Sequence, residues 1–352
     1  MNDPIEPTSW LGDSGDDCDV VLSSRVRLAR NLAGVPFVGQ ASDPDRNEVV
    51  GIVRRSPVFA DHPDGLSWLE METLSDQERT MLVERHLISH QFADARFPRG
   101  VGLSADKRLS VMVNEEDHIR MQSLAPGLAL RDAFQRVAEI RDELESTVDF
   151  AFSPRWGFLT ACPTNVGCGI RFSVMLHLPG LKMTEELGRV RQAAKDLHLA
   201  VRGCHGEGSE SSGDLFQISN QITLGDSEEE LLDKFRDDVV PLLLKYERAS
   251  RKLILNEKRT MLEDKVHRAL ATLRSARILG LNEGTRLLSM LRLGNSLKII
   301  EKPGLKTIHR LLLQVQPGHL SSMMGIGLDE SEEDARVVRA SLVRQALEDV
   351  LQ

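Results

Sequence analysis

Apolar and polar positions change their rhythm along this chain of 352 residues. From Val20 to about Leu243, short runs of period two alternate with stretches of period near 3.6. VVLSSRVRL, RLSVMVNEE, GFLTACPT and IRFSVMLHL predict strands. MLVERHLISHQF, LALRDAFQRVAEIRDELE, MTEELGRVRQAAKDL and EEELLDKFRDDVVPLLLKY predict helices. The elements do not follow a regular strand–helix–strand rule. The expected class is therefore α+β, with a mainly antiparallel sheet flanked by helices.

Beyond Tyr246 the period-two runs stop. ERASRKLILNEKRTMLEDKVHRALATLRSARIL predicts one long helix, and NEGTRLLSMLRLGN, LKTIHRLLLQVQ and SEEDARVVRASLVRQALEDVL predict three more. Glycine and proline punctuate them at Gly294, Pro303 and Gly325 to Gly327. Three parts are expected: a lead-in over residues 1–19, a mixed domain over 20–248 and an all-α domain over 249–352. Trp10 and Leu11 are the lead-in residues suited to docking on the body. Leu287, Leu288, Leu291, Leu311, Leu312 and Leu313 are more apolar positions than a small helical layer easily buries alone, so a homodimer is expected.

Composition narrows the function. No apolar run approaches the roughly 18 residues that span a bilayer, and MNDPIEPTSW is too acidic for a secretory signal. A cytoplasmic protein with no membrane partner is expected. A net charge of −9 disfavours nucleic-acid binding through a general basic surface. One tyrosine and three tryptophans are too few for base-stacking platforms. The four cysteines form no CxxC pair, and reduced thiols are expected.

The candidate chemistry lies in arginines and acids. Arg25 and Arg27 stand two apart on a predicted strand and so share one face. Arg171, Ser173 and Met175 repeat that arrangement, with Phe172 and Val174 opposite. Arg120 follows the acid cluster and Arg202 opens RGCHGEG. Guanidinium groups fork onto phosphate oxygens, and several converging on one site suit a triphosphate. A solvated outer face is the plain alternative. There is no GxxxxGK[ST] loop and no VAIK or HRD set. Cys162 sits before a Pro-Thr-Asn turn; facing an arginine-rich cleft, it would be held as a thiolate. Otherwise it is a buried structural thiol, the reading kept for Cys168 and Cys204. Glu115, Glu116 and Asp117 stand side by side at the end of a predicted strand, where acids add nothing to a core.

CPTNVGCGIR is similar to the CP[ST]N-[LIV]-G-x-G-x-R motif of the ATP:guanido phosphotransferases, the phosphagen kinases. SSRVRLAR and VNEEDHIR resemble two more motifs of that family, in the same order. RGCHGEGSESSGDLFQISNQITLG resembles its bacterial protein-arginine-kinase branch, of the McsB type. The resemblance implies a phosphagen-kinase-like catalytic domain with a C-terminal helical domain for dimerisation or regulation. It implies ATP and Mg²⁺, the ion bridging phosphates and waters with few protein ligands. Glu116 would be the base, Glu115 its neighbour near the phosphates, and Glu207 a second carboxylate on the substrate guanidinium. Cys162 would stand beside that guanidinium. Ser23, Ser24, Arg25, Val26 and Arg27 would line the nucleotide site. So would His86, Arg120, Arg171, Phe172, Ser173, Val174, Met175, Arg202, Gly203, Cys204, His205 and Gly206.

The family's small-guanidine kinases carry a helical domain ahead of the SSRVR motif. Here that motif begins at Ser23, and an open site suits an arginine displayed on a protein. A kinase of free arginine and a catalytically silent regulator are the alternatives. The resemblance further implies stress-response substrates, a zinc-binding activator protein and a Clp-type protease as partners. The branch's RDxxRA motif, which forms a phosphoarginine pocket, is altered to ARVVRA at residues 335–340. Phosphoarginine regulation is therefore expected to be weakened.

Overall fold

The computed structural model describes residues 9–12, 15–60, 65–203, 212–325 and 331–351. Its centre is one eight-stranded sheet, antiparallel at every described pairing. The strands are β1 (Val21–Arg30), β2 (Ser67–Glu70), β3 (Gly100–Leu103), β4 (Leu109–Val113) and β5 (Ile119–Pro126). A separate hairpin, β6 (Phe152–Ser153) and β7 (Gly157–Phe158), precedes β8 (Ile170–His177), β9 (Leu199–Gly203) and β10 (Leu215–Asn220). The order across the sheet is β2-β3-β4-β5-β1-β8-β10-β9.

Alternation along the central strands sorts side chains between two faces. Val26, Leu28, Met121, Phe172 and Val174 enter a core with Phe134, Val137 and Ile140 of helix Leu130–Glu145. The other face carries Leu22, Leu124 and Met175. It is covered in part by Trp10, Leu82, Leu87 and Phe92. The rest of that face holds the arginines.

A second core lies among helices Arg259–Ser275, Leu281–Ser296, Leu305–Gln314 and Glu332–Leu351. The two parts meet over buried, hydrogen-bonded ions. Arg251 pairs with Glu247 at 2.7 Å and donates to the His177 carbonyl at 2.9 Å. Arg292 donates to the Cys18 and Asp19 carbonyls and to His309. Burial without a carboxylate contact pushes its guanidinium down to about 9.

Several local expectations are corrected. MLVERHLISHQF is not one helix: Asp76–Glu84 ends at Arg85, His86 takes a left-handed φ of 56°, and a new helix starts at His90. Of GFLTACPT only Gly157–Phe158 is strand, because Pro163 opens a helical turn. The long helix from Glu247 breaks at Lys258, and helix Val240–Glu257 runs across residues 248 and 249. Leu288, Leu291, Leu311, Leu312 and Leu313 are buried inside the single chain. They therefore supply no dimer surface, and the physical argument that joined them to a dimer fails.

Candidate active site

The acid cluster is a hairpin turn. Asn114 takes φ 61°, the backbone N–H of Asn114 bonds to the His118 carbonyl, and that of Glu115 bonds to the Asp117 carbonyl. The strand pair β4–β5 thus ends in a tight loop that displays three acids in different directions. Their environments separate them. Glu115 is buried, and burial alone would raise its carboxyl. Arg120 at 2.6 Å, the Ser89 hydroxyl at 2.5 Å and the Glu116 N–H at 2.8 Å outweigh that and hold it below the usual range. Glu116 is exposed in the cleft. Partial burial, then Asp117 and Glu115, raise its carboxyl, against opposing pulls from Arg120 and the Cys162 thiol. Asp117 points into the protein, accepting from the Asn31 amide at 2.6 Å and the Ala161 N–H at 2.7 Å.

That last bond places the cysteine. Ala161 precedes Cys162, so Asp117 ties the loop carrying the thiol to the turn carrying Glu116. The Cys162 sulfur lies 3.0 Å from the Thr164 hydroxyl. The loop then packs back onto the sheet: Gly169 takes φ 68°, and a Cβ there would meet the Ala29 carbonyl at 2.8 Å. His118 is structural. Its Nδ1 accepts from the Leu32 N–H, which leaves Nε2–H to donate to the Pro36 carbonyl at 2.9 Å.

Five guanidinium groups from four strands converge beside the acids: Arg25 and Arg27 on β1, Arg120 on β5, Arg171 on β8 and Arg202 on β9. Arg27 faces Arg171 directly in the ladder. Its guanidinium is driven well below its ordinary value, by burial first and then by Arg25, Arg120, Arg171 and Arg202. Arg171 is lowered by burial, Arg202 and Arg120. The Nε atoms of Arg27 and Arg171 are buried with no hydrogen-bond partner among the described residues. A cluster this cationic is built for an anion.

Two adjoining cavities share Arg27, Arg120 and Arg202. One, of about 410 Å³, holds Glu115, Glu116, Cys162, Asn165 and Arg171. The other, of about 270 Å³, runs toward Trp10, His86 and Gly203. The arginines therefore stand between an acidic end and an end walled by rings and leucines.

The expected residues do not all reach this cleft. Val26, Phe172 and Val174 face the opposite core. The Ser24 hydroxyl, on β1, donates to the Gly127 carbonyl and is fully buried. Ser23 and Ser173 are buried, with the Ser173 hydroxyl on the Arg25 carbonyl, and Met175 packs with Leu22 and Leu215. Cys204, His205, Gly206 and Glu207 lie outside the described residues. Conversely, Trp10, Ser89, Asp117, Gln122, Gln217 and Gln316 belong to the site or its supports. In the sequence, Asp117 is marked by its adjacency to the glutamates and Trp10 only as a residue suited to docking; nothing marks the other four.

Comparison with known proteins matches residues 52–250 to the ATP:guanido phosphotransferase C-terminal catalytic domain. Residues 259–352 match the protein-arginine kinase McsB C-terminal domain. The chain is 42% identical over 339 residues to the protein-arginine kinase of Pelotomaculum thermopropionicum, covering 96% of this chain and 94% of that one. It is 41% identical over 348 residues to that of Halalkalibacterium halodurans, covering 99% and 96%. Among solved structures, the duplicated taurocyamine kinase of Schistosoma mansoni, with transition-state-analogue components bound, superposes with a TM-score of 0.59 at 26% identity. That match covers 72% of this chain and 38% of that one. Lombricine kinase superposes with a TM-score of 0.58 at 24% identity, covering 70% and 72%, and shares the fold.

Proposed function

The chain belongs to the ATP:guanido phosphotransferase family, and within it we propose that this enzyme moves the γ-phosphoryl group of ATP onto arginine side chains of proteins. The observation that carries the reading is the cluster of five arginines with an open carboxylate, Glu116, at its edge. The McsB-type C-terminal domain and the relatives named protein-arginine kinase support a protein acceptor over free arginine. So does the exposed hairpin that leads into the Cys162 loop, with Phe152 57% and Trp156 43% accessible.

A guanidinium has a pKa above about 12 and is a poor nucleophile while protonated. Glu116 holds the acceptor guanidinium and takes its proton as the phosphoryl group arrives. The P–N bond forms while the bond from Pγ to the β,γ-bridging oxygen breaks, and ADP leaves with that electron pair. Arg25, Arg27, Arg120, Arg171 and Arg202 neutralise the phosphates through the transfer, where positioning and charge are most of the catalysis. Glu115, held ionised by Arg120, keeps that arginine in place. The Cys162 sulfur borders the acceptor. Magnesium is proposed to enter as MgATP. Such an ion is held mainly by phosphate oxygens and water.

No described helix is long and apolar enough to cross a membrane. By family resemblance we place the enzyme in cytoplasmic protein quality control under stress, as a homodimer with a zinc-binding activator and a Clp-type protease as partners. The test is incubation with γ-labelled ATP and either casein or free arginine, followed by mass spectrometry at neutral pH, since the P–N bond is acid-labile. Phosphoarginine on casein is expected. Label on serine, threonine or tyrosine, or on free arginine alone, overturns the reading.

A further inference from the structure

We propose that the C-terminal helical domain supplies part of the wall of the nucleotide site, lining the base subsite with Leu313 and Gln316 beside Trp10 and His86. The inference rests on the functional reading above and adds residues that the catalytic-domain match does not contain.

The cavity of about 270 Å³ on the far side of the arginines is at the small end of ligand pockets. One wall is Trp10 and His86, whose rings meet edge to face with centroids 5.4 Å apart. Thr285, Leu312, Leu313 and Gln316 from the helical domain line the same cavity beside them. Helix Leu305–Gln314 serves both sides: Ile308, Leu311 and Leu312 enter the helical core, while Leu313 packs with Trp10 and Leu11. With phosphates on Arg25, Arg27, Arg120 and Arg202, the next group along a nucleotide lies within this lining. Flat apolar surfaces with one adaptable amide suit a heterocyclic base.

The wall is bolted in place beside His86. Glu84 accepts from the backbone N–H of Gly318 at 2.7 Å, from that of His319 at 3.0 Å and from His319 Nδ1 at 2.6 Å. His319 Nε2 accepts from Arg85 Nε at 3.0 Å, and the Arg85 carbonyl accepts from Trp10 Nε1 at 3.1 Å. Gly318 lies so close that a Cβ would meet Thr80 Cγ2 at 2.9 Å. The lead-in, the His86 turn and Gln316 thus form one connected wall. The Gln316 amide nitrogen donates to the Leu312 carbonyl at 3.1 Å, which leaves the amide oxygen as acceptor for an exocyclic amine. Adenine presents that amine; guanine presents a carbonyl at the same ring position.

The experiment titrates the full chain with ATP, GTP and inorganic tripolyphosphate by calorimetry, for the unmodified protein, Gln316→Ala and Leu313→Ala. ATP affinity is expected to fall about three- to tenfold in each variant. Tripolyphosphate affinity should stay unchanged, and the preference for ATP over GTP should shrink in Gln316→Ala. Unchanged tripolyphosphate binding also reports an intact arginine site. Should Leu313→Ala fail to fold, the half-buried Gln316 carries the test alone. If the unmodified chain binds ATP and the folded variants bind it equally well, this inference is wrong and the functional reading stands. If the unmodified chain binds no ATP, both fall.

Discussion

Arg27 on β1 and Arg171 on β8 stand directly opposite one another in the antiparallel ladder. Like charges at facing positions destabilise a sheet. The two are further surrounded by Arg25, Arg120 and Arg202. The sheet therefore carries repulsion that a bound polyanion relieves. Arg171→Met should raise the melting temperature of the ligand-free protein by about 1–3 °C, while weakening ATP binding and reducing the stabilisation that ATP gives the unmodified chain. Differential scanning calorimetry with and without ATP checks both signs.

Glu116 is the carboxylate left open, and its raised pKa makes the reaction sensitive to acid. The base works ionised, so kcat/KM should fall as pH drops through a value above the ordinary glutamate value of about 4.3. Glu115 is held down by Arg120, so it is already ionised in that range and does not set the limb. Glu116→Gln should lower kcat at least about a hundredfold, remove the acid limb and leave nucleotide affinity nearly unchanged. Near-normal turnover in that variant would assign the base elsewhere.

The thiols should separate by reactivity. Burial pushes Cys168 up to about 11, so it stays protonated at neutral pH. Cys162 lies in the cleft beside Glu116 and the Thr164 hydroxyl. Alkylation should concentrate at Cys162 and be slowed by ATP, and Cys162→Ala should impair turnover more than Cys168→Ala. Peptide mapping that finds label evenly over the thiols would make Cys162 an ordinary cysteine.

Asp117 is buried and joins two loops rather than meeting substrate. Asp117→Ala leaves the Asn31 amide and the Ala161 N–H without their acceptor. A loss of about 1–3 kcal/mol in stability is expected. A drop in kcat should follow from the freed Cys162 loop, with ATP affinity retained. Equal losses in kcat and ATP binding would indicate a wider collapse of the site.

Phosphoarginine should neither bind nor activate through the last helix. Arg339 is buried and donates to the Val315 carbonyl at 2.8 Å and the Leu279 carbonyl at 3.1 Å, whereas Arg336 is exposed. The two therefore offer no shared clamp. Calorimetry with free phosphoarginine should show no micromolar binding, and micromolar binding accompanied by activation would contradict this.

The sequence by itself determined the arginine and acid motifs, the period-two runs that became β1, β4 and β8, and the change to helices after Tyr246. Each is a local pattern: alternation sends Arg25 and Arg27 to one face whatever the strand pairs with. Local pattern could not see β2, β3 and β9, short strands whose neighbours decide their pairing. Nor could it see that a left-handed turn at His86 follows the helix end, with its ring against Trp10 from a distant segment. Most of all, only the tertiary structure decided what faces what. It separated Phe172 and Val174 from Arg171, gave Glu115 and Glu116 opposite shifts, and brought Gln316 to a cleft whose arginines begin at residue 25. Burial, facing charges and contacts between distant segments are properties of the assembled chain, and no spacing along the sequence encodes them.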